Sequence, residues 1–433
     1  MQEKTLTVQP GSLHGTLTVP PSKSVMQRIC AAVWVRGGSA CITNPGNSAD
    51  DLAMLELMKA AGCIIHTDKQ GKLLIQAVKA DHHTLDSAHF GESGLAARMC
   101  IPILALGGRD VDLDAHDSLA KRPMHFFEKV LPRLGVSVSM QEGHLPATIS
   151  GRLTPANVTV DGSLSSQFIT GLLMAYAGAD ARDVTITVLH PVSRPYIGLT
   201  LEIMLAAGLK VPERRSEDTF YFNDSEAPPL RPGITEFTVE GDWSAAAFWL
   251  VAGAIAGPIS IRGLDVFSVQ ADKAVLTALM DSGAAVSIET KQITVSPAPL
   301  RAFQAKATDS PDLFPALAVL ACYAVGTSVI EGIGRLKNKE SNRAETIRLE
   351  LGRLGADISL QDDYMVIRGT GSLHGGATLS HNDHRIAMMC AIAALRADAA
   401  VIIGDAGAVG KSYPGFFDDL ASLGAAFGED ETT

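Results

Sequence analysis

Nine short segments of this 433-residue chain gather cations with hydroxyl, amide or carboxylate side chains. Pro20-Pro-Ser-Lys-Ser-Val-Met-Gln-Arg28 puts Lys23, Ser24 and Arg28 near the first turns of a predicted helix, with Ser22 or Ser24 as its cap. Gly91-Glu-Ser-Gly-Leu-Ala-Ala-Arg98 offers a bare backbone at Gly94 and a cation at Arg98. Lys121-Arg122-Pro123 precedes a helix start, residues 161–168 line up Ser165, Ser166 and Gln167, and Ser193-Arg-Pro-Tyr196 forms a turn. The second half adds Asp309-Ser-Pro-Asp312, the run 335–343 with Lys339, Glu340 and Arg343, Asn382-Asp-His384-Arg385, and Lys411 in a loop. Ammonium and guanidinium groups beside free helix N–H donors suit phosphate or carboxylate ligands. Asp312 and Glu340 add groups able to move protons, although Asp312 could equally cap the apolar helix after it. Each segment alone reads as well as an ordinary capped helix or a solvated charged face. Together they are short, fall at predicted turns and recur in both halves.

The elements that must hold these segments repeat. Six helix-like stretches close in the same way, on Gly62, Gly135, Gly208, Gly283, Gly355 and Gly424, at spacings of 73, 73, 75, 72 and 69 residues. So regular a period indicates one unit used six times. Each glycine fits the left-handed position that ends a helix, and the β-branched run after it predicts a return into a sheet. The expectation is α/β, with three units in each of two domains. The strand-to-helix signals near residues 20 and 240 place a first domain at 20–238 and a second at 1–19 with 239–433. Two crossings would form a hinge, with a cleft between the halves.

Composition narrows the function classes. Acidic residues outnumber basic ones, 47 to 36, and the net charge is −11, which argues against a nucleic-acid partner. Aromatics make up only 5%. The six cysteines form no C-x-x-C pair and sit in apolar company, as expected of buried, reduced thiols in the cytoplasm. No metal-ligand spacing occurs. The apolar stretches 243–261 and 314–330 are interrupted by Gly or Pro and predict a buried helix, a turn and a strand rather than a membrane span.

In their order and joint presence, P-S-K-S-x-x-x-R, S-S-Q, S-R-P-Y, K-E-S-x-R, N-D-H-R and the late lysine resemble the 5-enolpyruvylshikimate-3-phosphate synthase family, from Pro20 to Phe417. The resemblance implies a two-domain enolpyruvyl transferase fold of six βαβαββ units with its active site in the interdomain cleft. The implied reaction moves the enolpyruvyl group of phosphoenolpyruvate to the 5-hydroxyl of shikimate 3-phosphate, a step toward chorismate and the aromatic amino acids. It implies no cofactor, and a monomer as the default. Lys23, Ser24, Arg28, Ser165, Ser166, Ser193, Tyr196, Asp312 and Lys339 match positions that hold shikimate 3-phosphate. Lys23, Gly94, Arg122, Gln167, Arg343, Arg385 and Lys411 match the phosphoenolpyruvate site, with Arg98 and His384 in support. Asp312 and Glu340 match the catalytic carboxylates, as base toward the hydroxyl and acid toward the methylene. Lys23 and Lys411 would stabilise the intermediate and the leaving phosphate.

The chain departs from the family in two places. Where N-[AS]-G-T is usual it has Glu92-Ser-Gly-Leu95, and the common Asp before Arg343 is Asn342. Both bear on the shape of the phosphoenolpyruvate pocket, while the retained Gly94 favours inhibition by glyphosate. The related transferase acting on UDP-N-acetylglucosamine usually carries a cysteine five residues before its arginine. Here that position is Ser93.

Overall fold

The computed structural model describes residues 4–229 and 233–429. All six repeat glycines lie in the left-handed region, with φ from +76° to +103°. They follow the helical segments Ala49–Ala60, Leu131–Leu134, Arg194–Ala206, Val275–Asp281, Arg343–Arg353 and Phe416–Ser422. The residue after each glycine donates its N–H to the carbonyl five positions back: Cys63 to Met58, Val136 to Leu131, Leu209 to Met204, Ala284 to Leu279, Ala356 to Leu351 and Ala425 to Leu420. This closure satisfies carbonyls that a helix end would otherwise leave unpaired, and a Cβ at the glycine would oppose it.

Six four-stranded sheets share one pattern, a parallel pair followed by two antiparallel pairs. The chain divides into two compact units, Pro21–Glu240 and the remainder on either side of it. Each unit contains three of the sheets. The first strands of two sheets are exchanged along the chain. Gly15–Thr18 leads into the helix Lys23–Arg36 but pairs with Ile259–Arg262. Ile234–Thr238 leads into the helix Trp243–Ala256 but pairs with Gly38–Thr43. The strand behind the signal near residue 240 is thus Ile234–Thr238. The sheet at the end of the chain takes its third strand, Leu6–Val8, from the beginning.

Each unit wraps its sheets and outer helices around three inner helices. In the Pro21–Glu240 unit these are Lys23–Arg36, Gly94–Leu104 and Ser166–Gly178, which pack on one another. A Cβ on Gly171 would lie 2.7 Å from the carbonyl oxygens of Arg98 and Met99, so only glycine allows two of these helices to approach so closely. In the other unit the inner helices are Trp243–Ala256, Phe314–Tyr323 and His384–Ala394, all buried throughout. All six cysteines are buried and free of disulfides. Among the described residues no helix is long and apolar enough to cross a membrane.

Candidate active site

Five of the nine motifs lead into inner helices, where backbone N–H groups lack intrahelical partners. In the Pro21–Glu240 unit, Lys23 is the first residue of its helix. Ser22 takes the cap position through its backbone, donating to Glu240 O at 2.7 Å, and makes no side-chain cap bond. Lys23 Nζ donates to Asp50 Oδ2 at 2.8 Å, with both side chains largely buried. Arg28 is fully buried. Its Nε donates to Thr200 Oγ1 at 3.0 Å, its Nη1 donates to Ser24 O at 2.8 Å, and its guanidinium lies 5.5 Å from the centre of the Tyr196 ring. Burial lowers its pKa to about 10, so it stays charged at neutral pH. Thr200 shares a hydrogen bond with Thr170, and this buried hydroxyl pair fixes the arginine. Ser193 adopts φ +51° as it opens the helix bearing Tyr196.

Ser165 caps the helix Ser166–Gly178 by accepting from Gln167 N, and Ser166 is buried at its first position. Gln167 Oε1 accepts from Arg98 Nη1 at 3.0 Å. Ser93 caps Gly94–Leu104 and donates to Gln27 Oε1 at 3.2 Å. Gly94 lies against Arg122, and a Cβ there would sit 2.7 Å from Arg122 Nη1. Arg122 Nη2 donates to Ser118 Oγ at 3.3 Å, and Ser118 donates its N–H and hydroxyl to Glu92 Oε2. The unusual Glu92 thus accepts from the turn that carries the arginine.

The second cluster lies in the other unit. Asp312 belongs to the short turn Pro311–Leu313, and the helix Phe314–Tyr323 receives no side-chain cap. The capping alternative is set aside because cations occupy both carboxylate oxygens. Oδ1 accepts from Arg343 Nη1 at 2.7 Å and from Lys339 Nζ at 3.2 Å, and Arg385 Nη2 approaches Oδ2 at 3.2 Å. Burial would raise the Asp312 pKa, but Arg385, Lys339 and Arg343 outweigh it and hold the carboxyl well below its usual range. Burial lowers the Lys339 pKa against the pull of Asp312.

Arg343 is fully buried. It donates to both oxygens of Asp383, and its Nη2 donates to Glu340 Oε2 at 2.5 Å. Asp383 caps the helix His384–Ala394 by accepting from Arg385 N, and His384 is buried at that helix's first position. Lys411 differs from expectation. It ends the 3-10 turn Ala406–Lys411 rather than lying in a loop, and it is buried, with Nζ donating to Asn382 O at 2.8 Å. Arg335, grouped by sequence with Glu340, donates to Thr308 O.

Lys339, Arg343, Arg385 and Lys411, four cations, thus share this cluster with three carboxylates, Asp312, Glu340 and Asp383. Four cations gathered in this way suit an anionic ligand.

The family model described as EPSP synthase (3-phosphoshikimate 1-carboxyvinyltransferase) matches residues 8–420. The chain belongs to the EPSP synthase family. Its members are transferases that move the enolpyruvyl group of phosphoenolpyruvate to shikimate 3-phosphate in the shikimate pathway. A 3-phosphoshikimate 1-carboxyvinyltransferase of Clostridium kluyveri is 32% identical over 98% of this chain and 99% of its own length. One from Aeropyrum pernix is 34% identical over 96% and 95%. The fold is that of the EPSP synthase of Acinetobacter baumannii, with a TM-score of 0.79 at 24% identity over 99% of this chain and 100% of that one. The enolpyruvyl transferase NikO from Streptomyces tendae shares it at 0.80 and 20% identity, over 99% of both chains.

Several residues that fix the site escaped the motif reading. Asp50 and Thr200 lie in outer helices, Asp383 reads as a plain cap, and Ser118 sits in an unremarkable turn. The aspartate inside N-D-H-R was visible, but its bond to an arginine 40 positions away was not.

Proposed function

We propose that this chain carries out the family's reaction with the residues described above. The observation that carries the reading is the grip of Lys339, Arg343 and Arg385 on Asp312, with Glu340 on the same arginine. The Pro21–Glu240 unit, 20–238 by the sequence limits, would hold the phosphorylated shikimate through Lys23, Ser24, Arg28, Ser165, Ser166, Ser193 and Tyr196. Asp312 and Lys339 belong to the same proposed set of shikimate 3-phosphate residues. Phosphoenolpyruvate would lie on Lys23, Gly94, Arg122, Gln167, Arg343, Arg385 and Lys411, with Arg98 fixing Gln167.

In the addition step the 5-hydroxyl oxygen bonds to C2 of phosphoenolpyruvate. Its proton passes to Asp312, and Glu340 delivers a proton to the methylene carbon. In the elimination step the C2–O bond to phosphate breaks, Glu340 takes back a methyl proton, and phosphate leaves toward Lys23 and Lys411, taking the hydroxyl proton that Asp312 had accepted. As held here, Asp312 is a weak base. A substrate carboxylate on Arg343 and Arg385 would draw off part of their attraction and raise its basicity when it is needed. Such acid–base steps contribute roughly 10²–10⁴-fold. Positioning of the two substrates contributes about 7–11 kcal/mol.

The test is phosphate release from phosphoenolpyruvate with shikimate 3-phosphate, run beside UDP-N-acetylglucosamine. Release with the first acceptor alone, and a product mass fitting the enolpyruvyl ether, supports the reading. Folded protein that binds the acceptor but releases no phosphate would be a binding protein on the same scaffold. Competition by glyphosate against phosphoenolpyruvate, a cytoplasmic location and a monomer in light scattering belong to the same reading.

A further inference from the structure

Glu350 is a fully buried carboxylate in the last turn of the helix Arg343–Arg353 that has no part in the reaction described above. Its Oε2 accepts from Arg353 Nη1 and from Leu379 N, each at 3.0 Å. Its Oε1 meets His381 Nε2 at 2.6 Å, and since a carboxylate only accepts, the imidazole must carry its proton on Nε2. His381 and Asn382 are consecutive residues at φ +54° and +55°. Two adjacent left-handed side-chain residues are unfavourable unless their surroundings fix them. Here they are fixed from two sides. Glu350 holds the His381 ring, while Ser380 Oγ and Asp405 Oδ2 accept from Asn382 N.

This turn meets the cation cluster at two points. Asn382 O receives Lys411 Nζ at 2.8 Å, and the next residue, Asp383, holds Arg343 by two bonds. Glu350 is also seven positions beyond Arg343 on one helix, about two turns. The contact between Glu350 and His381 therefore ties the turn to the helix that begins at Arg343.

We propose that Glu350, acting through His381, is a positioning residue that sets Lys411 and Arg343 in place for phosphoenolpyruvate. The proposal rests on the roles assigned to those two cations under Proposed function. It differs from a packing role because it predicts a loss confined to one substrate.

The decisive comparison is His381→Phe with His381→Gln. Both place an L side chain at a left-handed position. The glutamine amide nitrogen reproduces the reach of Nε2 toward Glu350, whereas phenylalanine keeps a ring and removes the donor. For His381→Phe the expected result is a roughly tenfold or larger rise in KM for phosphoenolpyruvate and a fall in kcat, the scale of one lost hydrogen bond to a charged group. KM for shikimate 3-phosphate should stay within about twofold. His381→Gln should recover most of the loss. Unchanged phosphoenolpyruvate kinetics in His381→Phe would overturn the proposal. So would a rise in both KM values together with a drop in melting temperature, because that pattern marks a general packing defect. Lys411→Met serves as the control: full activity there would remove the parent assignment, whatever His381 does.

Discussion

Arg343 turns Nε and Nη2 onto the two carboxylate oxygens of Asp383, at 2.9 and 3.2 Å, with both side chains fully buried. One residue begins the helix Arg343–Arg353 and the other caps His384–Ala394, so the pair joins the starts of two helices. The remaining donor capacity of Arg343 reaches Asp312 and Glu340, the two groups assigned to proton transfer. Burial disfavours the guanidinium charge, but Asp383, Glu340 and Asp312 outweigh it and raise its pKa. A planar fork with five donors makes four bonds to three carboxylates here, one more than the three donors of a lysine could supply.

Arg343→Lys should therefore behave as a damaging change. The ammonium cannot bond both Asp383 oxygens and also reach Asp312. We expect KM for phosphoenolpyruvate to rise about tenfold or more, the loss of one charge-assisted hydrogen bond being worth roughly 1.5–3 kcal/mol. Arg343→Ala should in addition cost about 3–5 kcal/mol of stability, because it leaves the buried Asp383 carboxylate short of its partner. Steady-state kinetics and urea unfolding of both variants check this. Kinetics for the lysine variant matching the parent enzyme would count against the pairing as drawn.

Asp312→Asn should separate chemistry from binding. The amide keeps the shape of the carboxylate but neither accepts the hydroxyl proton nor neutralises Lys339, Arg343 and Arg385. Turnover should fall by roughly 10²–10⁴-fold. Removing the resident anion also removes a competitor for the two arginines, so KM for phosphoenolpyruvate should hold steady or fall. Turnover within a few-fold of the parent would take Asp312 out of the mechanism.

What could be read in the sequence follows from how local each signal is. Gly62 and its five counterparts were legible because a left-handed helix end is decided within a few residues. The buried helices Trp243–Ala256 and Phe314–Tyr323 were legible from apolar runs free of charged residues. The exchange of Gly15–Thr18 and Ile234–Thr238 between helices showed only as two crossings, because pairing partners lie far along the chain. Glu350 gave no signal at all. In Arg-Leu-Glu-Leu-Gly-Arg it looks like half of a solvated helix pair with Arg353, and only the fold turns it inward toward His381. Asp312 looked like a cap for the same reason, since its three cations come from segments 27 or more positions away.

Gly94→Ala should act on one substrate and spare the fold. The Gly94 backbone is helical, so alanine fits it and gains helix propensity. The added methyl would nevertheless sit 2.7 Å from Arg122 Nη1, and the flexible arginine must give way. We expect an unchanged or slightly higher melting temperature together with a several-fold rise in KM for phosphoenolpyruvate. An unaltered KM would mean that Arg122 does not need its present position.

His83 should give the fold a measurable acid sensitivity away from the site. Leu85 N donates to its Nδ1 at 3.2 Å, so the other nitrogen, Nε2, must donate to Leu104 O at 2.8 Å. That fixes one neutral tautomer in a buried ring, and a Cβ on Gly107 would collide with it. Burial lowers the His83 pKa. The Leu104 carbonyl opposes this, Arg109 adds to it, and Asp86 works against it. With the folded pKa below the unfolded value of about 6.5, protons bind the unfolded chain preferentially. The stability due to His83 is therefore complete above about pH 6.5 and is lost as pH falls through the folded pKa. His83→Asn keeps an acceptor for Leu85 and cannot titrate. Its urea midpoint should lie below the parent's at pH 8, and the gap should narrow steadily toward pH 5.5. A constant gap across that range would show that the ring is not held neutral.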